Sequence, residues 1–162
     1  MIGNAVKDLL LENETHFLID GNNVATLTDS NTLEHALLVL TNIGYSRIPV
    51  LNIEQELVGL ISLSQVVSAM FDTEKIDPER LGQLKVSDVM SNEVPTIQEP
   101  FNIERILNLL VDDNFIPVVD EKQHFRGIVT RKEILKSVNH LAHTLETKYD
   151  LTRIEESIPT LP

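Results

Sequence analysis

Ile48-Pro49-Val50-Leu51-Asn52-Ile53-Glu54-Gln55-Glu56-Leu57-Val58-Gly59 and Ile116-Pro117-Val118-Val119-Asp120-Glu121-Lys122-Gln123-His124-Phe125-Arg126-Gly127 are one pattern written twice. The Ile-Pro-Val triplet, the Gln and the Gly coincide at an offset of 68 residues. Toward the N-terminus the offset becomes 70, after a two-residue gap near Ser46-Arg47. There Val24-Ala25-Thr26-Leu27 falls on Val94-Pro95-Thr96-Ile97, Leu33-Glu34 on Ile103-Glu104, Leu37 on Leu107 and Leu40 on Leu110. Further back, His16-Phe17-Leu18-Ile19 falls on Val86-Ser87-Asp88-Val89. Isolated leucines match by chance. An ordered triplet with its Gln and Gly marks a duplicated unit.

Each copy reads as the same order of elements. Val24–Leu27 is a short apolar strand. A helix follows, with Leu33, Ala36, Leu37, Leu40 and Ile43 on one face. Asn31 and Glu34 have capping-box spacing, and Gly44 suits the turn that ends the helix. The second copy opens its helix with Pro100 and carries the stripe Ile103, Ile106, Leu107 and Leu110. Strands Ile48–Leu51 and Leu57–Ile61 flank the loop Asn52–Glu56, and Phe115–Val119 and Phe125–Val129 flank Asp120–His124. Each set reads as a β-hairpin. Closing helices are expected near Ser64–Phe71 and Arg131–Glu146. The expectation is an α/β (α+β) fold of two βαββα repeats packed on each other, since one small unit buries its apolar faces poorly. Residues 1–14 form an amphipathic N-terminal helix, 15–72 the first repeat, 73–85 a polar connector, 86–146 the second repeat and 147–162 a frayed tail.

Charge and composition narrow the function. Thirteen basic residues against twenty-five acidic ones give a net charge of −12, and no Lys/Arg cluster is present for a nucleic-acid backbone. Cysteine is absent, so disulfides, thiolate metal sites and a cysteine nucleophile are excluded. No apolar run approaches the ~20 residues of a membrane span, and Met1–Asp8 does not read as a signal peptide. The expectation is a soluble cytoplasmic protein without a membrane or nucleic-acid partner. No P-loop, Gly-x-Ser-x-Gly or His-Glu-x-x-His occurs, so no catalytic residues are nominated and the chain is not read as an enzyme. His140, His143 and Glu146 have helical spacing without a fourth ligand, and they read, like Asp112-Asp113 and Glu155-Glu156, as solvated surface. No metal site is expected.

The motifs in this order resemble the CBS domain. Gly59-Leu60-Ile61-Ser62-Leu63-Ser64-Gln65 and Gly127-Ile128-Val129-Thr130-Arg131-Lys132-Glu133 follow the family's Gly-hydrophobic-hydrophobic-Ser/Thr-x-x-Asp, departing only at the last position. The resemblance covers roughly residues 15 to 145. The N-terminal helix, the run Leu33–Thr41 and Gly44-Tyr45 before Ile48-Pro49-Val50 are similar to the cyclic di-AMP-binding CBS proteins of Gram-positive bacteria. That resemblance implies one ligand cleft built from Val24, Ala25, Thr26, Tyr45, Arg47, Ile48, Thr130, Arg131 and Lys132, with Glu133 at the ribose-binding acid's position. Backbone groups of the first strand would read adenine edges, and Ala25 would leave room for the base. Arg131-Lys132 adds an independent hint. Two cations at a helix start oppose the helix dipole, which makes sense if an anion sits there. Copy one offers only Leu63-Ser64 and the uncharged Gln65 there, so its cleft should bind phosphate weakly. Pro49 and Pro117 read as shaping strand entry.

The implied function is a regulatory receptor with no cofactor, whose ligand is cyclic di-AMP or another adenine nucleotide. It would be a homodimer acting on a protein partner, such as a (p)ppGpp synthetase or a metabolic enzyme. Two rivals remain at this point: a sensor of AMP, ADP or ATP, and a ligand-free interaction scaffold.

Overall fold

The computed structural model describes residues 1–12 and 17–153. Most of the tail, with Glu155-Glu156, and His16 lie outside the described residues. In chain order the elements are α1 (Asn4–Leu11), β1 (Leu18–Asp20), β2 (Leu27–Thr28), α2 (Leu33–Ile43), β3 (Arg47–Leu51), β4 (Leu57–Ser62) and α3 (Leu63–Ser68). After these come α4 (Arg80–Gln83), α5 (Val86–Val89), α6 (Ile103–Asp112), β5 (Phe115–Val119), β6 (Phe125–Thr130) and α7 (Arg131–Lys148).

Two three-stranded sheets result; one takes its third strand from the segment ahead of copy one, and the other receives a single bridge from the segment near the start of copy two. The hairpin β3–β4 is joined by β2, parallel to β3 with Leu27 opposite Val50. The hairpin β5–β6 is joined by β1, antiparallel to β6 with Leu18 opposite Val129. So the segment leading into copy one completes the sheet of copy two. The exchange is reciprocal, because Ser91, ahead of copy two, bridges to Leu60 of β4. Side chains follow the backbone. Phe17 is fully buried in the core of Ile103, Ile106, Leu110, Ile116 and Val129. Val86 is fully buried in that of Leu33, Ala36, Leu40, Ile48 and Ile61. Neither core is complete without the other copy.

The repeated glycines make the exchange possible. A Cβ on Gly127 would meet the Ile19 carbonyl oxygen at 2.1 Å, and one on Gly59 would meet that of Ser91 at 2.7 Å. The repeated glutamines also have a role. Gln55 and Gln123 sit at φ 66° and 68° in the hairpin loops. The Gln123 carbonyl accepts from the Leu57 amide at 3.0 Å, and the Gln55 carbonyl accepts from that of Phe125 at 3.0 Å. The two loops are thus bonded to each other around the pseudo-twofold axis. Helix α1 adds Leu10 to the second core, and Lys148 of α7 holds Glu12 at 2.7 Å.

Several local expectations are corrected. The cap of α2 is Thr32, whose hydroxyl accepts from the His35 amide at 3.2 Å; the Asn31 carboxamide is already taken by the Thr28 amide at 2.8 Å. The cap of α6 is Asn102, a stronger N-cap than proline, and Pro100 lies outside the helix. Val24–Leu27 is not one strand. Asp20 caps a turn over Gly21–Asn23, and only Leu27–Thr28 pairs with β3. The matched segments ahead of the copies differ as well, since Leu18–Asp20 is strand and Val86–Val89 is helix. The connector is not wholly polar: its helix α4 buries Leu81 in the first core. Gly44 does end α2 in the left-handed region, at φ 71°. Among the described residues no helix is long and apolar enough to cross a membrane.

Candidate functional site

Where the two sheets meet, Leu60, Phe115 and Ile128 form a third apolar cluster with Ile19, Val24 and Val94 against it. A cavity of about 730 Å³ opens beside this cluster, within the ~300–1,000 Å³ typical of small-molecule sites. One side is apolar: Ile19, Val24, Ala25, Ile48, Pro49, Phe115 and Ile128. Tyr45 stands at the rim, 59% exposed. The other side is Arg47, Asn114 and the start of α7, with Thr130, Arg131, Lys132, Glu133, Leu135, Lys136 and Asn139. The expected residues Val24, Ala25, Tyr45, Arg47, Ile48, Thr130, Arg131, Lys132 and Glu133 therefore share one cavity, and Thr26 is not among its lining residues.

Four basic side chains and one carboxylate line this cavity, in a chain of net charge −12. Their partners differ. Arg47 Nη2 donates to Asp113 Oδ1, and its Cζ lies 5.7 Å from the Phe115 ring centroid. Lys136 pairs with Glu133 at 2.8 Å. Among the described residues Lys132 has no hydrogen bond or ion pair, so its charge is uncommitted. The Thr130 hydroxyl accepts from the Glu133 amide at 3.2 Å, which caps α7 and leaves its own proton to be donated.

Arg131 departs from expectation. Its side chain turns to the C-terminal end of α6, where Nε donates to the Leu110 carbonyl at 2.8 Å. Its Nη2 donates to the carbonyls of Val111 at 3.1 Å and Asp113 at 3.0 Å. A cation there satisfies orphan carbonyls and complements the dipole of α6. The inference that Arg131 sits unfavourably at a helix start is therefore wrong, because its charge stabilises a different helix end.

The copy-one counterpart of Glu133 is also explained. Gln65 Oε1 accepts from the Ser62 amide at 2.8 Å, closing a capping box. Gln65 Nε2 donates to the Val89 carbonyl at 3.1 Å and to Ser91 Oγ at 3.0 Å. This side chain fastens the exchanged segment of copy two. A second, more open cavity of about 660 Å³ lies beside Ser46, Ser62, Leu63, Ser64 and Val67. It shares Arg47 with the first but has Asp112 and Asp113 in its wall, which disfavours an anion.

Sequence reasoning missed Leu135, Lys136 and Asn139. With Lys132 they recur at three, four and seven residues, one face of α7, and that spacing was the available signal. It also missed Asp113 as the partner of Arg47; 66 residues separate them, and no local pattern links them. Pro49 lines the cavity as well as shaping its strand. Among the described residues no three His, Cys, Asp or Glu side chains gather as a metal site.

A repeated βαββα-type unit with exchanged leading segments and a cleft between the copies defines a tandem-repeat module. The CBS domain family model matches residues 16–72 and 86–140, and the chain belongs to that family. Cyclic di-AMP receptor B of Bacillus subtilis (strain 168) is 38% identical over 133 residues, 82% of this chain and 90% of the relative. The crystal structure of Listeria monocytogenes CbpB in complex with c-di-AMP is 50% identical, with a TM-score of 0.73 over 78% of this chain and 94% of that one. The crystal structure of CbpB from Streptococcus agalactiae is 32% identical, with a TM-score of 0.84 over 94% of this chain and 96% of that one.

Proposed function

We propose that this chain is a receptor for cyclic di-AMP, bound in the cavity between β3, β5 and the start of α7. The observation that carries the reading is a 730 Å³ cleft with an apolar wall and a basic mouth in an otherwise acidic protein. The likeness to a receptor and to a structure named for the same ligand supports it. Adenine would lie against Val24, Ala25, Ile48 and Phe115, and Tyr45 would cover it at the rim. The phosphates would meet the Lys132 side chain and backbone amide and the Thr130 hydroxyl, since the Arg131 and Glu133 amides are taken by the Asn114 carbonyl and the Thr130 oxygen; the dipole of α7 favours an anion there. Arg47 would contribute across the cleft, and Glu133 would accept from a ribose hydroxyl. Arg131 would act mainly by fixing the Asp113–Asn114 backbone at the mouth.

The chain acts by binding and not by catalysis. Ligand changes its affinity for another protein through differential affinity for two states. The partner is read as a (p)ppGpp synthetase or a metabolic enzyme of the cytoplasm, engaged by a homodimer. Sedimentation should then show about twice the 18.3 kDa of one chain, and a monomer at micromolar concentration would contradict the dimer.

A thermal-shift panel tests the ligand. Cyclic di-AMP at 100 times its Kd should add ~2.7 kcal/mol of stability, roughly 5–10 °C in Tm. AMP, ADP and ATP should give less at equal concentration. Equal or larger shifts with AMP or ATP would make the chain a sensor of those nucleotides. No shift with any of them would make it an interaction scaffold.

A further inference from the structure

Arg47 lies in the wall between the two cavities and is held there by Asp113. Both side chains are largely withdrawn from water, 34% and 24% exposed, so solvent weakens the pair less than it would at an open surface. Asp113 has a poor electrostatic reason to be where it is. It follows the last residue of α6, where the helix dipole disfavours a negative charge. The equivalent helix of copy one ends in Gly44, with no acid. The carbonyl of the same Asp113 accepts from Arg131. Both guanidinium groups of the cavity are thus tied to one short segment, residues 110–114.

The geometry points to Asp113 as a built-in stand-in anion, whose carboxylate holds Arg47 and yields it to a ligand phosphate. The inference rests on the reading of the cavity as a site for an anionic nucleotide. A guanidinium fork accepts a carboxylate or a phosphate with the same geometry, so the two compete for Arg47. The cost of displacing Asp113 subtracts from the affinity of a phosphate-bearing ligand and not from that of a neutral nucleoside. Asp113 therefore sets the concentration at which the receptor responds. Its release also leaves a free carboxylate beside Asp112 in the wall of the second cavity, which opposes entry of a second anion there.

The test is calorimetric titration of wild type, Asp113→Asn, Arg47→Ala and the double variant, with cyclic di-AMP, inorganic pyrophosphate and adenosine as separate probes. Asp113→Asn keeps the shape and removes the charge. It should bind cyclic di-AMP about tenfold more tightly, shift pyrophosphate in the same direction and leave adenosine unchanged. In the Arg47→Ala background the same change should alter affinity by less than about twofold. Asp113→Glu, which keeps the charge, should stay near wild type, and it serves if Asp113→Asn does not fold. Weaker or unchanged binding of both anions by a folded Asp113→Asn would overturn the inference, as would an equal gain without Arg47. If pyrophosphate binding tightens while cyclic di-AMP binds no variant, the nucleotide reading fails and the role of Asp113 stands. If neither anion binds any variant, both fail.

Discussion

Gly127 packs so closely on Ile19 that a Cβ added to it would lie 2.1 Å from the Ile19 carbonyl oxygen. That contact joins the two copies, because Ile19 belongs to the segment ahead of copy one and Gly127 to the hairpin of copy two. An alanine must push β1 off the sheet or distort β6. Gly127→Ala should therefore cost about 3–5 kcal/mol, in the range of severe buried clashes. Gly59→Ala should cost less, since its Cβ would stand 2.7 Å from the Ser91 carbonyl oxygen, the nearby Met90 side chain can move, and Gly59, unlike Gly127 at φ 154°, has no positive φ. Urea denaturation checks this. A wild-type midpoint for Gly127→Ala would contradict the exchange of leading segments.

Arg131→Ala should destabilise the ligand-free protein. The change removes three hydrogen bonds from a cation to the carbonyls that end α6. A loss of about 2 kcal/mol, roughly 4–8 °C in Tm, is expected. Lys132→Ala removes no hydrogen bond or ion pair among the described residues and takes a cation out of the first turn of α7, so it should melt at or slightly above wild type. Melting curves of the two variants without ligand decide the matter. A stable Arg131→Ala protein would restore the view that this arginine is reserved for ligand.

Ala25→Val tests where the base lies. Ala25 lines the cavity's apolar wall, in the connection between the Gly21–Asn23 turn and β2. Ala25 is only half-buried and borders the cavity, so the fold should survive while two extra methyl groups fill the adenine space. Affinity for cyclic di-AMP should fall about tenfold or more by calorimetry. Unchanged affinity in a folded variant would place the base elsewhere.

These predictions separate what the sequence discloses from what it hides. The duplicated hairpin was legible because Ile-Pro-Val, Gln and Gly recur in order, and each has a physical reason to recur. Gly59 and Gly127 permit the close crossing, and Gln55 and Gln123 present their carbonyls to each other's hairpins. Most of the cavity wall was legible for the same reason, since motif positions converge at the pseudo-twofold axis. Side-chain commitments were not. Arg131 reaches 20 residues back to Val111, Gln65 reaches 26 forward to Ser91, and Arg47 reaches Asp113 in the other copy, 66 residues on. No periodicity encodes such pairs, because they depend on how separate elements pack, α7 on α6 within one copy for Arg131 and one copy on the other for Gln65 and Arg47. Helix caps failed for a local reason: adjacent Asn31 and Thr32 both suit the role, and the Thr28 amide took the first.

The most direct test is calorimetric titration of cyclic di-AMP into wild type and Lys132→Ala, side by side. Lys132 is the cavity cation with no hydrogen-bond or ion-pair partner among the described residues, so its loss breaks no such bond within the protein. A hydrogen bond to a charged group is worth ~1.5–3 kcal/mol, which corresponds to about a ten- to hundredfold weaker Kd for the variant. Wild type should bind one ligand per chain, because Asp112 and Asp113 make the second cavity acidic. Equal affinity in the two proteins would place the phosphates away from Lys132 and contradict this cavity as the site, and two equivalent sites per chain would contradict the exclusion of anions from the second cavity.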